Sequence, residues 1–228
     1  MHRLGFLSLA AHSAREAKRS MEVNAMLSYM EAGGALMWAL LALSVAAVTV
    51  ALERLVFFFA SSTDAAGLEA RLGPALSEGR LDDAREIASS SRSSLHRVFQ
   101  AALAHWRIDR EDMALLLNQE IRREIFRWEK RLPFLEMTAR AAPLLGLLGT
   151  VLGMVEMFSA LHDGGQITAS AVTGGIWKAL YTTVAGLTVA IPTLFVHSML
   201  AGRIDSQEEC LRRGADFLIR KRFRREGD

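Results

Sequence analysis

Three long stretches of the chain carry no charged residue: Ala35–Leu52, Ala141–Val155 and Ala179–Gly202. The first is prolonged past Glu53-Arg54 by LVFFFA, and the second past Glu156 by MFSALH. About 20 apolar residues in helical form cross a bilayer core, so the three runs predict three transmembrane helices. Between the first and second runs the pattern turns amphipathic. SSTDAAGLEARLG begins with a capping signal and continues with helical apolar spacing. SEGRLDDAREIA holds a glycine stop followed by an acidic helix start, and SSSRSS at residues 89–94 reads as a loop or cap. From Arg110 apolar residues recur at helical spacing into the second run, with Pro133 and Pro143 as the only interruptions. That stretch predicts one kinked pillar leaving the membrane. No segment shows strand alternation. The fold class is an all-α membrane protein, three transmembrane helices with long cytoplasmic helical extensions.

Charge changes the picture by giving the spans a direction. The chain has 228 residues, with 51% hydrophobic and 23% charged, so the two must be segregated along it. Residues 161–175 have no Lys or Arg, whereas residues 60–140 have thirteen and residues 202–228 have eight. Positive residues stay on the cytoplasmic side, which puts the middle segment and the tail inside and the amino terminus outside. The expected organisation is a periplasmic segment over 1–32, transmembrane helix 1 over 33–59 and a cytoplasmic helical region over 60–138. Transmembrane helix 2 follows over 139–161, then a periplasmic loop over 162–175, transmembrane helix 3 over 176–201 and a cytoplasmic helix over 202–228. The opening MHRLGFLSLAAHSA reads as a short amphipathic segment on the outer surface, with Met21 or Met26 as alternative starts. The tail's RKRFRR reads as a solvated helix face near phospholipid headgroups. Basic residues placed in this way argue against nucleic acid, despite a pI near 9.0. The single cysteine, Cys210, permits no internal disulfide.

AAPLLGLLGTVLGM, residues 141–154, raises a question of its own, because glycine inside a helix costs roughly 1 kcal/mol against alanine. Small residues let helices approach closely in lipid, where no hydrophobic drive brings them together. Ala142, Gly146 and Thr150 lie four apart, as do Gly149 and Gly153; in the third run Thr182, Gly186 and Ala190 repeat the spacing, and Ala179 pairs with Thr183. The expectation is that Ala142, Gly146, Gly149, Gly153, Ala179, Gly186 and Ala190 pack the helices, with Pro192 shaping the third. A second reading makes the hydroxyl stripe a pore wall.

PLLGLLGTVLGM followed by GGIWKALYTTVAGLTVAIP resembles the MotA/TolQ/ExbB proton-channel family, and its TolQ/ExbB branch in particular. The first run, with its Gly-Gly, Met and closing Glu-Arg-Leu, is similar to that branch as well. The resemblance implies a pentameric ring in the bacterial inner membrane whose lumen holds the single-span helices of an ExbD/TolR-like partner. In that family the partner's aspartate carries the proton, and ring threonines surround it at positions matching Thr150 and Thr183; Thr182 is expected to line the pore with them. Motion then passes to a TonB- or TolA-like periplasmic transducer. One departure stands out: Lys178 occupies the place of a family glutamate, which leaves the partner's aspartate as the proton carrier.

Counting residues along each helix suggests a consequence. Glu156 lies six residues beyond Thr150, and Lys178 five residues outward of Thr183. If the threonines share a level, Glu156 and Lys178 stand close enough to form an ion pair at the outer mouth. His96 and His105 lack the clustered partners of a metal site, and His197 reads as an interface residue. No phosphate loop, supported nucleophile or paired carboxylates occur, so neither an enzyme nor a cofactor is expected. The readings that compete with a proton motor driving a TonB- or TolA-type transducer are a non-conducting membrane scaffold and the stator of a gliding or other surface motor.

Overall fold

The computed structural model describes residues 34–60, 65–162 and 169–223. The amphipathic amino-terminal segment, the start at Met21 or Met26 and the capping signal at residues 61–64 lie outside the described residues. All regular structure among those described is helical. The helices are α1 (Ala35–Ala60), α2 (Ala65–Ser77), α3 (Leu81–Ser89), α4 (Ser94–Ala104), α5 (Arg110–Glu129), α6 (Leu132–His162) and α7 (Ala169–Phe223). Three of them are long and apolar enough to cross a membrane, over Ala35–Phe58, Leu132–Ser159 and Thr173–Phe223. The chain is an all-α membrane protein.

Contacts divide it into two units. The first comprises residues up to Val48 with Met137–Leu194, and the second comprises Thr49–Glu136 with Phe195–Asp228. In the first unit α1 meets α6 and α7 through Leu40, Ala142 and Ala190, with Leu43, Leu145, Ala185 and Val189 packed around them. Most other large apolar side chains here are exposed, among them Val45, Leu144, Val151, Val184, Ile191 and Leu194. That is how a unit looks when lipid or further chains, rather than its own core, cover it.

The second unit is built as a water-soluble domain is. Leu72, Leu95, Phe99, Met113, Leu117, Trp128, Leu211 and Leu218 are fully buried or nearly so. Local signals set its turns. Gly79, at φ +76°, stops α2 in a left-handed conformation open to glycine at little cost. Asp82 and Asp83 then stand in the first turn of α3, where acids favour the helix dipole. Ser93 caps α4 by accepting from the His96 amide, and Asp109 caps α5 by accepting from the Asp112 amide at 2.8 Å.

One sequence expectation is corrected here. The pillar from Arg110 into the second span is not one helix. α5 ends at Glu129, Lys130 turns extended (φ −51°, ψ 127°), and Arg131 takes φ 71° before α6 begins at Leu132. Pro133 lies in the first turn of α6, where its missing N–H costs nothing, so it accompanies a new start rather than a kink. Pro143, by contrast, sits inside α6 without ending it. It is the third span that continues unbroken, because α7 runs 55 residues through Pro192 to Phe223.

The start of the tail's basic run, Arg220–Arg222, packs within the second unit. Arg222 donates to the Trp106 carbonyl (3.0 Å), just before α5, and Arg110 shares a cavity with Phe217 and Phe223. The opposite end of α5 is the one beside α1, where Trp128 packs edge-on against Phe57 and Phe58 with ring centres 5.3 and 4.7 Å away. A helix of 20 residues separates the two ends by about 30 Å. Arg222 therefore stands at the end of α5 away from Phe57 and Phe58.

Candidate functional site: the seam between α6 and α7

Two glycines of α6, Gly146 and Gly149, face α7 so closely that an added methyl would have no room. A Cβ on Gly146 would lie 2.8 Å from the Thr182 carbonyl oxygen, and one on Gly186 would lie 2.5 Å from the Ala142 carbonyl oxygen. On Gly149 it would lie 2.5 Å from Thr182 Cβ. Gly153 rests against Ala179, and Gly175 against Met157. Ala142 and Ala179 are buried at the same seam, and Ala190 with them in the first unit; Pro192 is exposed. Two of the three glycines in this greasy helix, Gly146 and Gly149, thus have a physical reason, whereas Gly153 leaves room for a methyl. The two give up roughly 1 kcal/mol each of helix propensity for close contact, which in lipid is a main source of helix association.

The threonines divide between the two sides of this seam. Thr182 has no exposed surface; its hydroxyl donates to the Ala179 carbonyl at 2.8 Å, with the Gly146 carbonyl a second acceptor at 3.3 Å. Its side chain is enclosed by α6 rather than presented outward. Adjacent Thr183, turned about 100° further round the helix, is half-buried and donates to the same Gly146 carbonyl at 3.2 Å. Thr150 is half-buried and donates to the Leu147 carbonyl at 2.6 Å. Gly149 lies against Thr182 and Gly146 against Thr183, so Thr150 and Thr183 occur within about one helical turn of the same level. At both positions the hydroxyl proton is engaged with a backbone carbonyl, and the oxygen's lone pairs remain to accept a hydrogen bond.

Further along, the contacts of Gly153 with Ala179 and Met157 with Gly175 bracket the backbone positions of Glu156 and Lys178. The Lys178 side chain lies outside the described residues. Trp177 packs edge-on against Tyr181, ring centres 5.1 Å apart, and Trp38 is exposed on α1.

Sequence reasoning missed the most connected polar group, which is in the second unit. Glu124 is only 1% exposed. It accepts from Arg97 Nε and Arg127, both at 2.8 Å, and pairs with Arg97 through its other oxygen as well. Ser94 accepts from the Trp128 indole N–H at 2.9 Å beside it. Burial pushes the Glu124 carboxyl up, but Arg97, Ser94 and Arg127 together outweigh it and hold the group below the ordinary carboxylate range. His96 lies nearby, its Nδ1 2.7 Å from Ser93 Oγ; burial and the charge of Arg71 depress its imidazole. Only the EIRREIFRW text hinted at this, and a glutamate among arginines on a helix reads as a solvated face.

The MotA/TolQ/ExbB proton channel family matches residues 90–213. The putative biopolymer transport protein ExbB-like 1 of Synechocystis is 35% identical over 183 residues, 77% of this chain and 70% of that protein. The biopolymer transport protein exbB1 of Vibrio cholerae is 39% identical over 119 residues, half of each chain (50% and 51%). The Tol-Pal system protein TolQ of Haemophilus influenzae is 39% identical over 93 residues, 41% of each. The chain thus spans about half the length of these last two relatives, or less.

Proposed function

Because the chain belongs to the MotA/TolQ/ExbB proton channel family, we propose that this multi-pass inner-membrane protein is the ring subunit of a proton-driven motor serving a TonB- or TolA-type transducer. Its relatives named ExbB and TolQ support that output. Identical copies gather as a pentamer around the membrane helices of an ExbD/TolR-like partner. The middle segment and tail face the cytoplasm. The subunit carries out no covalent chemistry of its own.

The observation that carries this reading is the sorting of hydroxyls at the seam. Thr182 commits its side chain to holding α7 to α6, so the pore-facing role falls to Thr150 and Thr183. These two cannot titrate. Each offers lone pairs to a neutral carboxylic acid or a water, and does so without rearrangement because its own proton is already donated. The partner's acid can then cycle between protonated and ionised forms against a wall that never changes charge.

Thr150→Ala and Thr183→Ala are each expected to lower proton-motive-force-dependent transport by about tenfold or more, while the ring still elutes intact on size exclusion. Normal transport by both variants would overturn the pore-wall assignment. At the outer mouth, Glu156 and Lys178 form an ion pair within a subunit or between neighbours. Its support is the backbone register bracketing both positions. Glu156→Lys and Lys178→Glu should each impair transport, and their combination should restore it; an additive double variant would remove the pair.

A non-conducting scaffold is the competing reading, favoured by Lys178 in place of the family's glutamate. Reconstitution with a single-span partner, followed by a pH-sensitive dye in the vesicle lumen, separates the two. Proton flux supports the motor, and its absence with an intact complex supports the scaffold.

A further inference from the structure

We propose that the end of α5 beside α1 is a docking site for anionic phospholipid headgroups, with Phe126 as its apolar insert and Arg122, Arg123, Arg127 and Lys130 as phosphate donors. The proposal rests on α1 crossing the bilayer, and on nothing else in the functional reading.

Depth is fixed by contacts within the second unit. Trp128 packs on Phe57 and Phe58, the last aromatic residues of the first candidate span, Ala35–Phe58. Arg54 on α1 reaches the Arg127 carbonyl (3.4 Å), and Arg131 pairs with Glu53. The last two turns of α5 therefore lie level with the end of a membrane helix, in the layer where headgroups stand. Aromatic side chains concentrate at that layer, and basic ones there are drawn to anionic lipid.

Phe126 is 72% exposed, although its neighbour Ile125 is buried in the unit's core. On the same face, four residues before it, stands Arg122, and Lys130 follows at the cap of α5; Glu129, Glu208 and Arg212 line the groove beside Arg122 and Phe126. Neither Arg122 nor Lys130 forms an ion pair among the described residues. Arg123 and Arg127 have partners in Glu120 and Glu124, yet their own side chains remain 66% and 51% exposed. A guanidinium has five donors, so each still has some to offer a phosphate. Burial of the unit's own surface does not account for a phenyl ring held outward where cations outnumber the acids Glu129 and Glu208. A lipid headgroup region accounts for both at once, with the acyl boundary taking the ring and the phosphates taking the charges.

The test uses the full chain carrying Cys210→Ser and Phe126→Cys, labelled at residue 126 with an environment-sensitive fluorophore and placed in nanodiscs. Brominated phosphatidylglycerol is expected to quench the label several-fold more than brominated phosphatidylcholine. Adding Arg122→Gln and Lys130→Gln should raise the half-saturating phosphatidylglycerol fraction by about fivefold for each cation removed. Equal quenching by both lipids would overturn the headgroup selectivity. No quenching would overturn the site, and crosslinking of two copies through the unlabelled introduced thiol would hand the surface to a second copy of the chain. The readout needs neither partner nor proton, so loss of the motor reading leaves it standing.

Discussion

The two units of this chain hold themselves together by opposite means. Where α6 meets α7, side chains have been pared away until backbones touch, and the bonds that fasten the seam are threonine hydroxyls on carbonyls. In the second unit the contacts are made by large side chains, Trp128, Phe99 and Leu211 among them, around a carboxylate clasped by arginines. Glycine measures the difference. A methyl on Gly186 would strike the Ala142 carbonyl at 2.5 Å, whereas one on Gly214 would strike Leu95 Cδ1, the far end of a flexible chain, at the same 2.5 Å. The lesson is about solvent. Water favours burying apolar area by about 25 cal/mol per Å², so bulk stabilises the second unit. Lipid supplies no such drive, and close approach replaces it.

Gly186→Ala tests that contrast most severely. Overpacking against backbone is expected to cost about 3 kcal/mol even after the gain in helix propensity. Gly214→Ala should cost less, since its neighbours are side chains, Leu95 at 2.5 Å and Phe99 at 3.0 Å, rather than backbone. Thermal unfolding in one detergent, followed by tryptophan fluorescence, ranks the two. Equal losses would erase the distinction between the units.

Arg97→Met probes the second unit's own peculiarity. Breaking a buried pair costs about 3–5 kcal/mol. Arg127 stays on Glu124, and Arg97 is itself a third exposed, so about 2 kcal/mol is expected here. Acid should act on the same place. In the fold His96 lies below its ordinary 6.5 and Glu124 below its ordinary 4.5, so both bind fewer protons folded than unfolded. Their stabilisation is present above those values and drains away as pH falls through the folded ones, His96 first and Glu124 later. Unfolding temperatures measured from pH 7 downward should drop in that order, and His96→Gln should remove the earlier part. The smallest effect belongs to Asp109→Ala. Removing the cap of α5 is worth about 1 kcal/mol, read in the same melts.

Much of this was legible in the residues. Three uncharged runs give three spans because no other element can hide so many backbone groups from lipid. The glycine spacing points to a close seam for the reason already given. Which of two neighbouring threonines enters the seam was not legible. Thr182 and Thr183 differ by about 100° around one helix, and only the register against Gly146 and Gly149 separates them. The break between α5 and α6 was hidden too, because Arg131 adopts φ 71° without the glycine or asparagine that usually announces it. Nor could spacing show that the tail runs past the hairpin of α4 and α5 to its far end, since docking of distant segments leaves no local mark.

Between Ala169 and Phe223 α7 is one helix, and its hydrogen-bond ladder lacks a rung where Pro192 has no N–H to donate. Lys130 and Arg131, by contrast, break the ladder between α5 and α6, and Arg131 is held to α1 through Glu53.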